Sequence, residues 1–222
     1  MISALLLVFV VTIYTIDGKP YSLDQEVTKL LERRGKPVVC DANNAGSVVF
    51  AFDTSDGTKD FSEQKTYAGK VAKFLPENGK VKVAGIVYGG STATSIPLGS
   101  QSTYDDLVNA IEGISQEEHG PRDEADALKA AAKLLTDSTG KRAIVLFVDG
   151  NADDANAAKA AADELRGEDI EILFAFPKDL YASLQSELKQ IASEPYSLSL
   201  NAMNSLSLAE SIGLVFDVQY SC

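Results

Sequence analysis

Continuous apolar runs alternate with amphipathic segments of helical period along most of the chain, and this alternation limits the fold more than any other feature. The runs have the length and composition of strands buried on both faces of a parallel sheet. They are GSVVFAF (46–52), KVKVAGIVY (80–88), RAIVLFV (142–148) and IEILFAF (170–176). Predicted helices lie at 60–75, 103–114, 123–137, 153–167, near 180–192 and near 202–213. This order predicts an α/β fold: a doubly wound, mostly parallel sheet of about six strands with helices on both faces.

Two shorter segments complete the predicted sheet. ATSIPL (93–98) contains Pro97, and because proline cannot donate a ladder hydrogen bond, we expect this strand to lie antiparallel at the sheet edge. YSLSL (196–200) is a further candidate strand.

Length and charge exclude several classes of function. At 222 residues the chain is long enough for one domain with a full core and short for two. The formal net charge of −12 argues against sequence-independent binding of nucleic acid, because such binding depends on cations that displace counterions from phosphates. The same charge argues against attachment to an anionic membrane surface.

The N-terminus carries an apolar stretch from Ala4 to Tyr14, and no charged residue precedes Asp17. This stretch is too short to cross a bilayer and has the length of a signal-peptide core. We therefore predict a signal peptide at residues 1–18, with an approximate cleavage position. The expected product is a secreted, extracellular protein that does not insert into a membrane after cleavage.

The rest of the chain divides at Cys40. Residues 19–39 form a polar leader in which Ser22 is suited to begin a short helix and Gly35 to end it. The main predicted domain covers residues 40–222.

Two of the predicted central strands end on aspartates, Asp53 and Asp149. In open α/β sheets, ligands bind in the crevice beyond the carboxyl ends of the strands. We therefore expect both carboxylates in one crevice, although they lie far apart in the sequence.

The segment FDTSDGT (52–58) has two interpretations. One is the nucleophile loop of a haloacid-dehalogenase-like phosphatase, with Asp53 as the covalent nucleophile. That chemistry places its acid-base aspartate two residues further on, whereas Asp56 is three residues away. His119 is the only histidine and is expected to be solvated in an exposed loop, and both thiols are expected to be oxidised, so no nucleophilic triad is predicted. We expect the protein not to be an enzyme.

The other interpretation comes from a resemblance. From Cys40 to Cys222 the sequence resembles a von Willebrand factor type A domain, and its segments follow the order of that family. The landmarks are VVFAFDTSDG, GKVKVAGIVYGGSTATSIPL, YDDLVNAIEGI, GPRDEADALKAA, RAIVLFVDG, RGEDIEILFAF and SELKQIASEPYSL. The resemblance implies a Rossmann-like, integrin I-like fold and an adhesion module that recognises an extracellular protein or matrix ligand at the crevice. The alternative is a structural or matrix-assembly module with a dead metal site.

The resemblance also implies a metal-ion-dependent adhesion site, in which Asp-x-Ser-x-Ser, a threonine and a later aspartate hold Mg²⁺ or another divalent cation. Asp53, Ser55 and Asp149 match three of these ligands. Gly57 replaces the second serine, and Arg122 occupies the position of the threonine. Water can replace a hydroxyl ligand, whereas a guanidinium is repelled by a divalent cation and can itself neutralise the aspartates.

Two outcomes stay open at this point. Either Asp53 and Ser55 hold a cation, or Arg122 forms a salt bridge in its place. The side chains expected to contact a ligand are Asp56, Arg122 and Asp123.

The chain has two cysteines, Cys40 and Cys222. In an exported protein a single intramolecular disulfide is expected, with free thiols or an intermolecular link as alternatives. The resemblance supports the intramolecular bridge, because the family's fold brings the start of its first strand and the end of its last helix to the sheet end opposite the crevice. Such a bridge stabilises by roughly 4 to 5 kcal/mol in the chain-entropy description.

Overall fold

The computed structural model describes residues 15–16, 19–20, 41–42, 44–76, 79–116, 120–176, 181–193 and 205–219. The chain divides into two units, Met1–Lys36 and Pro37–Cys222. In the first unit, β1 (Thr15–Ile16) pairs antiparallel with β2 (Lys19–Pro20). The predicted signal-peptide core, the leader helix, the candidate strand at 196–200 and both cysteines lie outside the described residues.

The second unit contains a five-stranded sheet with helices on both faces. Its strands are β4 (Gly46–Asp53), β5 (Val81–Gly89), β6 (Ser91–Ile96), β7 (Lys141–Phe147) and β8 (Ile170–Ala175). The spatial order is β6-β5-β4-β7-β8. All neighbouring pairs are parallel except β5 and β6, which are antiparallel.

The predicted fold class is therefore confirmed, including the antiparallel edge strand. The described part of the sheet has five strands rather than about six. The edge strand ends at Ile96, directly before Pro97, as expected for a residue that cannot donate to a ladder.

Six helices accompany these strands in the described part of the unit. They are α1 (Phe61–Ala72), α2 (Tyr104–Glu112), α3 (Glu124–Leu135), α4 (Ala155–Gly167), α5 (Tyr181–Ile191) and α6 (Ser205–Phe216). None of the described helices is both long and apolar enough to cross a membrane.

The continuous apolar runs supply two cores, one on each face of the sheet. Successive side chains of a strand point to opposite faces, so Val49 and Ala51 join a core with α3, α4 and α5. Phe50 and Phe52 join the other core with α1, α2 and α6. There the ring of Phe52 stacks on that of Phe147, with centroids 5.0 Å apart. β4 and β7 are thereby held in fixed register below the crevice.

The chain ends of the second unit also pair. β3 (Asp41–Ala42) runs antiparallel to β9 (Val218–Gln219), which follows α6. Cys40 directly precedes Asp41 of this ladder, and Cys222 lies three positions after Gln219.

Candidate functional site

The crevice lies where β4 and β7 end side by side. The chain leaves β4 toward β5 on one side and later returns as β7 on the other, which makes this the switch point of the sheet. Asp53 is the last residue of β4, and Asp149 follows β7 by two positions. The backbone N–H of Asp149 donates to Oδ2 of Asp53 at 3.2 Å. The predicted convergence of the two aspartates is therefore observed.

Helix α1 fixes the backbone of Asp53. The Gln64 side chain accepts a hydrogen bond from the Asp53 N–H at 2.9 Å and donates one to the Asp53 carbonyl at 3.1 Å. Gln64 is buried, so water cannot replace these bonds without a rearrangement. The end of the strand is thus clamped to the helix that follows it.

Both oxygens of the Asp53 carboxylate accept hydrogen bonds. Oδ1 accepts from the Ser55 N–H at 2.9 Å and from the Ser55 hydroxyl at 2.6 Å. Oδ2 accepts from Nε of Arg122 at 2.6 Å, besides the Asp149 N–H. Asp53 itself is 0% exposed. A buried carboxylate with all its acceptor sites occupied does not suit a covalent nucleophile, which weighs against the phosphatase interpretation.

Arg122 reaches Asp53 from the loop that precedes α3. Asp153 holds the backbone of this residue, since its carboxylate accepts from the Arg122 N–H at 2.8 Å. The Arg122 side chain is 12% exposed and forms an ion pair with Asp53. Its Nη1 donates to the carbonyl of Asn151 at 3.4 Å. The guanidinium therefore bridges β4 to the loop after β7.

A glycine makes room for this side chain. A Cβ atom placed on Gly150 would lie 2.2 Å from Nη1 of Arg122 and 2.9 Å from Cζ. Any larger residue at position 150 would displace the guanidinium.

The local charges keep Arg122 ionised. Burial acts to lower the pKa of Arg122, but attraction to Asp53 and the hydrogen bond between them outweigh burial and raise that pKa. Arginine is protonated at all ordinary pH values, so the crevice always contains one cationic side chain.

Asp149 is the less constrained of the two aspartates. Its Oδ2 accepts from the Lys59 N–H at 2.5 Å. Its Oδ1 accepts no hydrogen bond from the described residues, and the side chain is half-buried. One carboxylate oxygen of the crevice is therefore open to an incoming group.

The residues present do not fit a divalent cation. Arg122 occupies the oxygen of Asp53 that faces Asp149, where a shared cation would need free lone pairs. The second serine of the metal site is replaced by Gly57. The φ of Gly57 is +86°, so a serine at this position would have a strained backbone. Among the described residues, no group of three or more acidic, histidine or cysteine side chains is placed to hold a metal ion.

The other two predicted ligand contacts lie on the rim. Asp56 and Asp123 are exposed. Asp123 accepts from the Asp126 N–H at 2.9 Å and caps α3, while the Asp56 N–H donates to the Gly120 carbonyl at 2.9 Å. Arg122 therefore lies within the crevice, whereas these two aspartates are exposed on the neighbouring loops.

A buried acid lies close to the crevice. Glu124, the first residue of α3, is 1% exposed, and neither of its carboxylate oxygens has a hydrogen-bond partner. Its pKa is raised well above the ordinary value, first by burial and then by the charges of Glu187 and Asp53. Glu187 in turn accepts a hydrogen bond from the Ala152 N–H at 2.8 Å. Two further carboxyl groups thus lie near the crevice, and burial favours the neutral form of Glu124.

Burial also acts on Tyr88 near the end of β5. Its hydroxyl donates to the carbonyl of Phe147 at 2.7 Å. Desolvation, and then the charge of Asp53, raise the pKa of Tyr88 well above its ordinary value. Tyr88 is therefore a neutral hydrogen-bond donor that ties β5 to the end of β7.

Sequence reasoning did not identify Gln64, Glu124 or Glu187 as site residues. A signal for Gln64 was present, since it occupies the apolar face of a predicted helix, where a polar side chain needs a buried partner. Glu124 lies in the first turn of a helix, where the helix dipole favours an acid whether it is buried or exposed. The pattern alone did not distinguish a buried first-turn acid from an exposed one.

Comparison with known proteins agrees with this architecture. The sequence matches the family described as von Willebrand factor type A domain over residues 47–212. A search of curated proteins found no match.

Several solved structures share the fold. Proximal thread matrix protein 1 from the mussel byssus superposes with a TM-score of 0.63 at 16% identity, over 80% of this chain and 48% of that one. The manganese-loaded TRAP protein of Plasmodium vivax gives 0.59 at 12% identity, over 81% and 77%. An aerotolerance-related membrane protein from Bacteroides fragilis gives 0.57 at 20% identity, over 77% and 98%.

These solved structures share the fold of this chain, and two of the proteins among them have structures with a bound metal ion. The present chain spans about half the length of the mussel protein. A second structure of the mussel protein has a zinc-occupied metal site, with a TM-score of 0.61 at 19% identity, over 86% of this chain and 51% of that one. Divalent cations are therefore bound by some proteins of this fold.

Proposed function

Because this chain belongs to the von Willebrand factor type A domain family, we propose that it is a non-enzymatic binding module that holds an extracellular protein or matrix ligand over the crevice without a metal ion. Binding and adhesion are general functions of the family. The position of the ligand, the extracellular location and the independence from metal are specific to the proposal. An apolar N-terminus with the length of a signal-peptide core supports export.

One observation carries the metal-free mechanism: the 2.6 Å ion pair between Arg122 and Asp53. The guanidinium pairs with Asp53 and reaches the loop that carries Asp149, and it neutralises part of the negative charge of the crevice, as a cation would in the family's metal site. It is also covalently part of the chain, so the loops remain tied together at any concentration of divalent ions. The crevice is thereby preorganised for a ligand.

Metal titration tests the first half of the proposal. We expect no thermal shift of the wild-type protein with Mg²⁺, Mn²⁺ or Zn²⁺, measured against an EDTA control. Arg122→Thr restores the family's ligand at this position and frees Asp53, so this variant should gain a shift with at least one of these ions. Specific metal binding by the wild type would contradict the metal-free mechanism.

Site-directed photo-crosslinking tests the second half. A benzophenone side chain replaces Asn151, which is exposed and contacts Arg122 only through its backbone carbonyl. A matched variant carries the same group at Asp137, exposed just after α3 at the other end of the sheet. We expect an extracellular protein to crosslink at position 151 and not at position 137. The yield at position 151 should be the same with and without EDTA.

The same experiment separates the structural alternative. A matrix-assembly module that does not use the crevice would crosslink at position 137 or at neither position. Crosslinking at position 151 that disappears in EDTA would instead indicate metal-assisted binding.

A further inference from the structure

We propose that the crevice selects a cationic group of its partner, such as a lysine or arginine side chain, and rejects carboxylates. This inference rests on the proposed function and names the chemistry of the ligand. It reverses the preference expected of a site in which a bound metal ion offers an open coordination position to an acid.

The charges of the site do not balance. Two carboxylates and one divalent cation would balance, and a ligand carboxylate could then complete the coordination. Here the crevice contains the two carboxylates of Asp53 and Asp149 and one guanidinium, that of Arg122, which pairs with Asp53 and brings one positive charge. One negative charge of the crevice is therefore uncompensated.

A ligand can reach this negative charge at Asp149. The side chain of Asp53 is 0% exposed and that of Arg122 is 12% exposed, and these two side chains already form an ion pair with each other. Asp149 is half-buried, and its Oδ1 accepts no hydrogen bond from the described residues. A ligand N–H can therefore donate to Asp149 Oδ1 without breaking any contact within the site.

Glu124 lies below the crevice. Its carboxyl is 1% exposed and has no hydrogen-bond partner, and the charges of Asp53 and Arg122 act on it. A cation placed above this carboxyl would favour its ionised form, whereas an anion would hold it protonated. Glu124 is an observation independent of Asp149, and it favours the same sign of ligand.

The rim reinforces this selection. The described loops at the strand ends, 54–60, 120–123 and 149–154, carry one exposed basic side chain, Lys59, together with several further aspartates. These aspartates are Asp56, Asp60, Asp123, Asp153 and Asp154. Charges of one sign around a cleft accelerate association with partners of the opposite sign and discriminate against like charge.

The test uses three blocked peptides of identical length, Gly-Ser-X-Ser-X-Ser-Gly, in which X is arginine, glutamate or glutamine. Each is titrated into the ¹⁵N-labelled full chain at low ionic strength in EDTA. The arginine peptide should shift the backbone amides of 54–58 and 149–152, while the glutamate peptide should leave them unchanged. Raising the salt concentration from about 20 to about 300 mM should lower the affinity for the arginine peptide severalfold, because exposed charges are screened.

Two matched variants assign the effect to the crevice. Asp149→Asn keeps an oxygen that can accept from the Lys59 N–H but removes the uncompensated charge. This variant should therefore bind the arginine peptide with at least fivefold lower affinity. Asp137→Asn removes the same charge from an exposed position after α3 and should change the affinity less than twofold. Equal effects of the two variants would reduce the interaction to general attraction by an acidic protein and overturn the inference.

The outcomes also separate this inference from the proposed function. Shifts of the crevice amides by the glutamate peptide alone would leave a binding crevice in place and overturn its cationic preference. Absence of crosslinking at position 151, together with arginine binding that depends on Asp149, would overturn the proposed function and retain the chemistry inferred here.

Discussion

At the scale of single residues, Arg122 determines the character of the crevice. Its guanidinium joins Asp53 to the loop after β7, and Gly150 leaves the space that it occupies. A buried ion pair of this kind adds little net stability compared with apolar residues of the same shape, but removal of one partner leaves the other charge uncompensated. The pair is therefore best tested by removing each partner in turn.

Arg122→Met should lower the free energy of unfolding by about 3 to 5 kcal/mol at pH 7, because Asp53 remains buried without its cation. Urea denaturation measures this change. The double variant with Asp53→Asn should be more stable than the sum of the two single changes implies. Additive effects would show that the ion pair is not energetically coupled.

Glu124→Gln should stabilise the protein at pH 7.5, because it removes an acid whose charged form is buried without a partner. The raised pKa of Glu124 determines the direction in which this stability difference changes with pH. Below the unfolded-state pKa of about 4.5, the carboxyl is protonated in both states and the substitution gains little. As pH rises toward the folded-state pKa, the wild type loses stability and the advantage of the variant grows.

Urea denaturation at pH 4 and at pH 7.5 measures the Glu124→Gln effect. Glu164→Gln, on the exposed face of α4, is the control and should change stability by no more than about 0.5 kcal/mol at either pH. An equal effect of Glu124→Gln at both pH values would contradict the assignment of a buried, unpartnered acid.

At the scale of elements, the crevice depends on contacts between strand ends and helices. β4 is joined to α1 through Gln64, and β5 is joined to β7 through the hydroxyl of Tyr88. The stacked rings of Phe52 and Phe147 hold β4 against β7 just below the aspartates. These contacts make the floor of the crevice rigid, while the loops above it carry the charges.

Gln64→Met keeps the volume of the side chain and removes both of its hydrogen bonds to the Asp53 backbone. We expect a loss of about 2 to 4 kcal/mol of stability, because a buried N–H and a buried carbonyl lose their partners. Hydrogen exchange of the Asp53 amide should accelerate as well. Gln190→Met, at an exposed position near the end of α5, should change neither quantity.

At the scale of the whole molecule, the described ends of the second unit meet in the ladder of β3 and β9. Asp41 pairs with Gln219, and these positions adjoin the segments that carry Cys40 and Cys222. The predicted intramolecular disulfide is compatible with this pairing and remains a prediction.

Non-reducing peptide mapping should recover a fragment that joins Cys40 to Cys222. Reduction should then lower the free energy of unfolding by about 4 to 5 kcal/mol, because the bridge closes most of the chain. The double variant Cys40→Ser, Cys222→Ser should match the reduced wild type. A map that contains only free thiols or intermolecular links would contradict the intramolecular bridge.

The sequence by itself determined the fold class, the antiparallel edge strand and the meeting of Asp53 with Asp149. These features follow from the period of apolar residues, the restriction on Pro97 and the rule that parallel strands end at one edge, all of which act along the backbone. The tertiary structure decided how the charges of the crevice are paired. Arg122, Gln64 and Glu124 each depend on the direction of a long side chain and on the space left by distant residues such as Gly150. Packing in three dimensions fixes those directions, so the resemblance could place an arginine near the aspartates but could not determine that it pairs with Asp53.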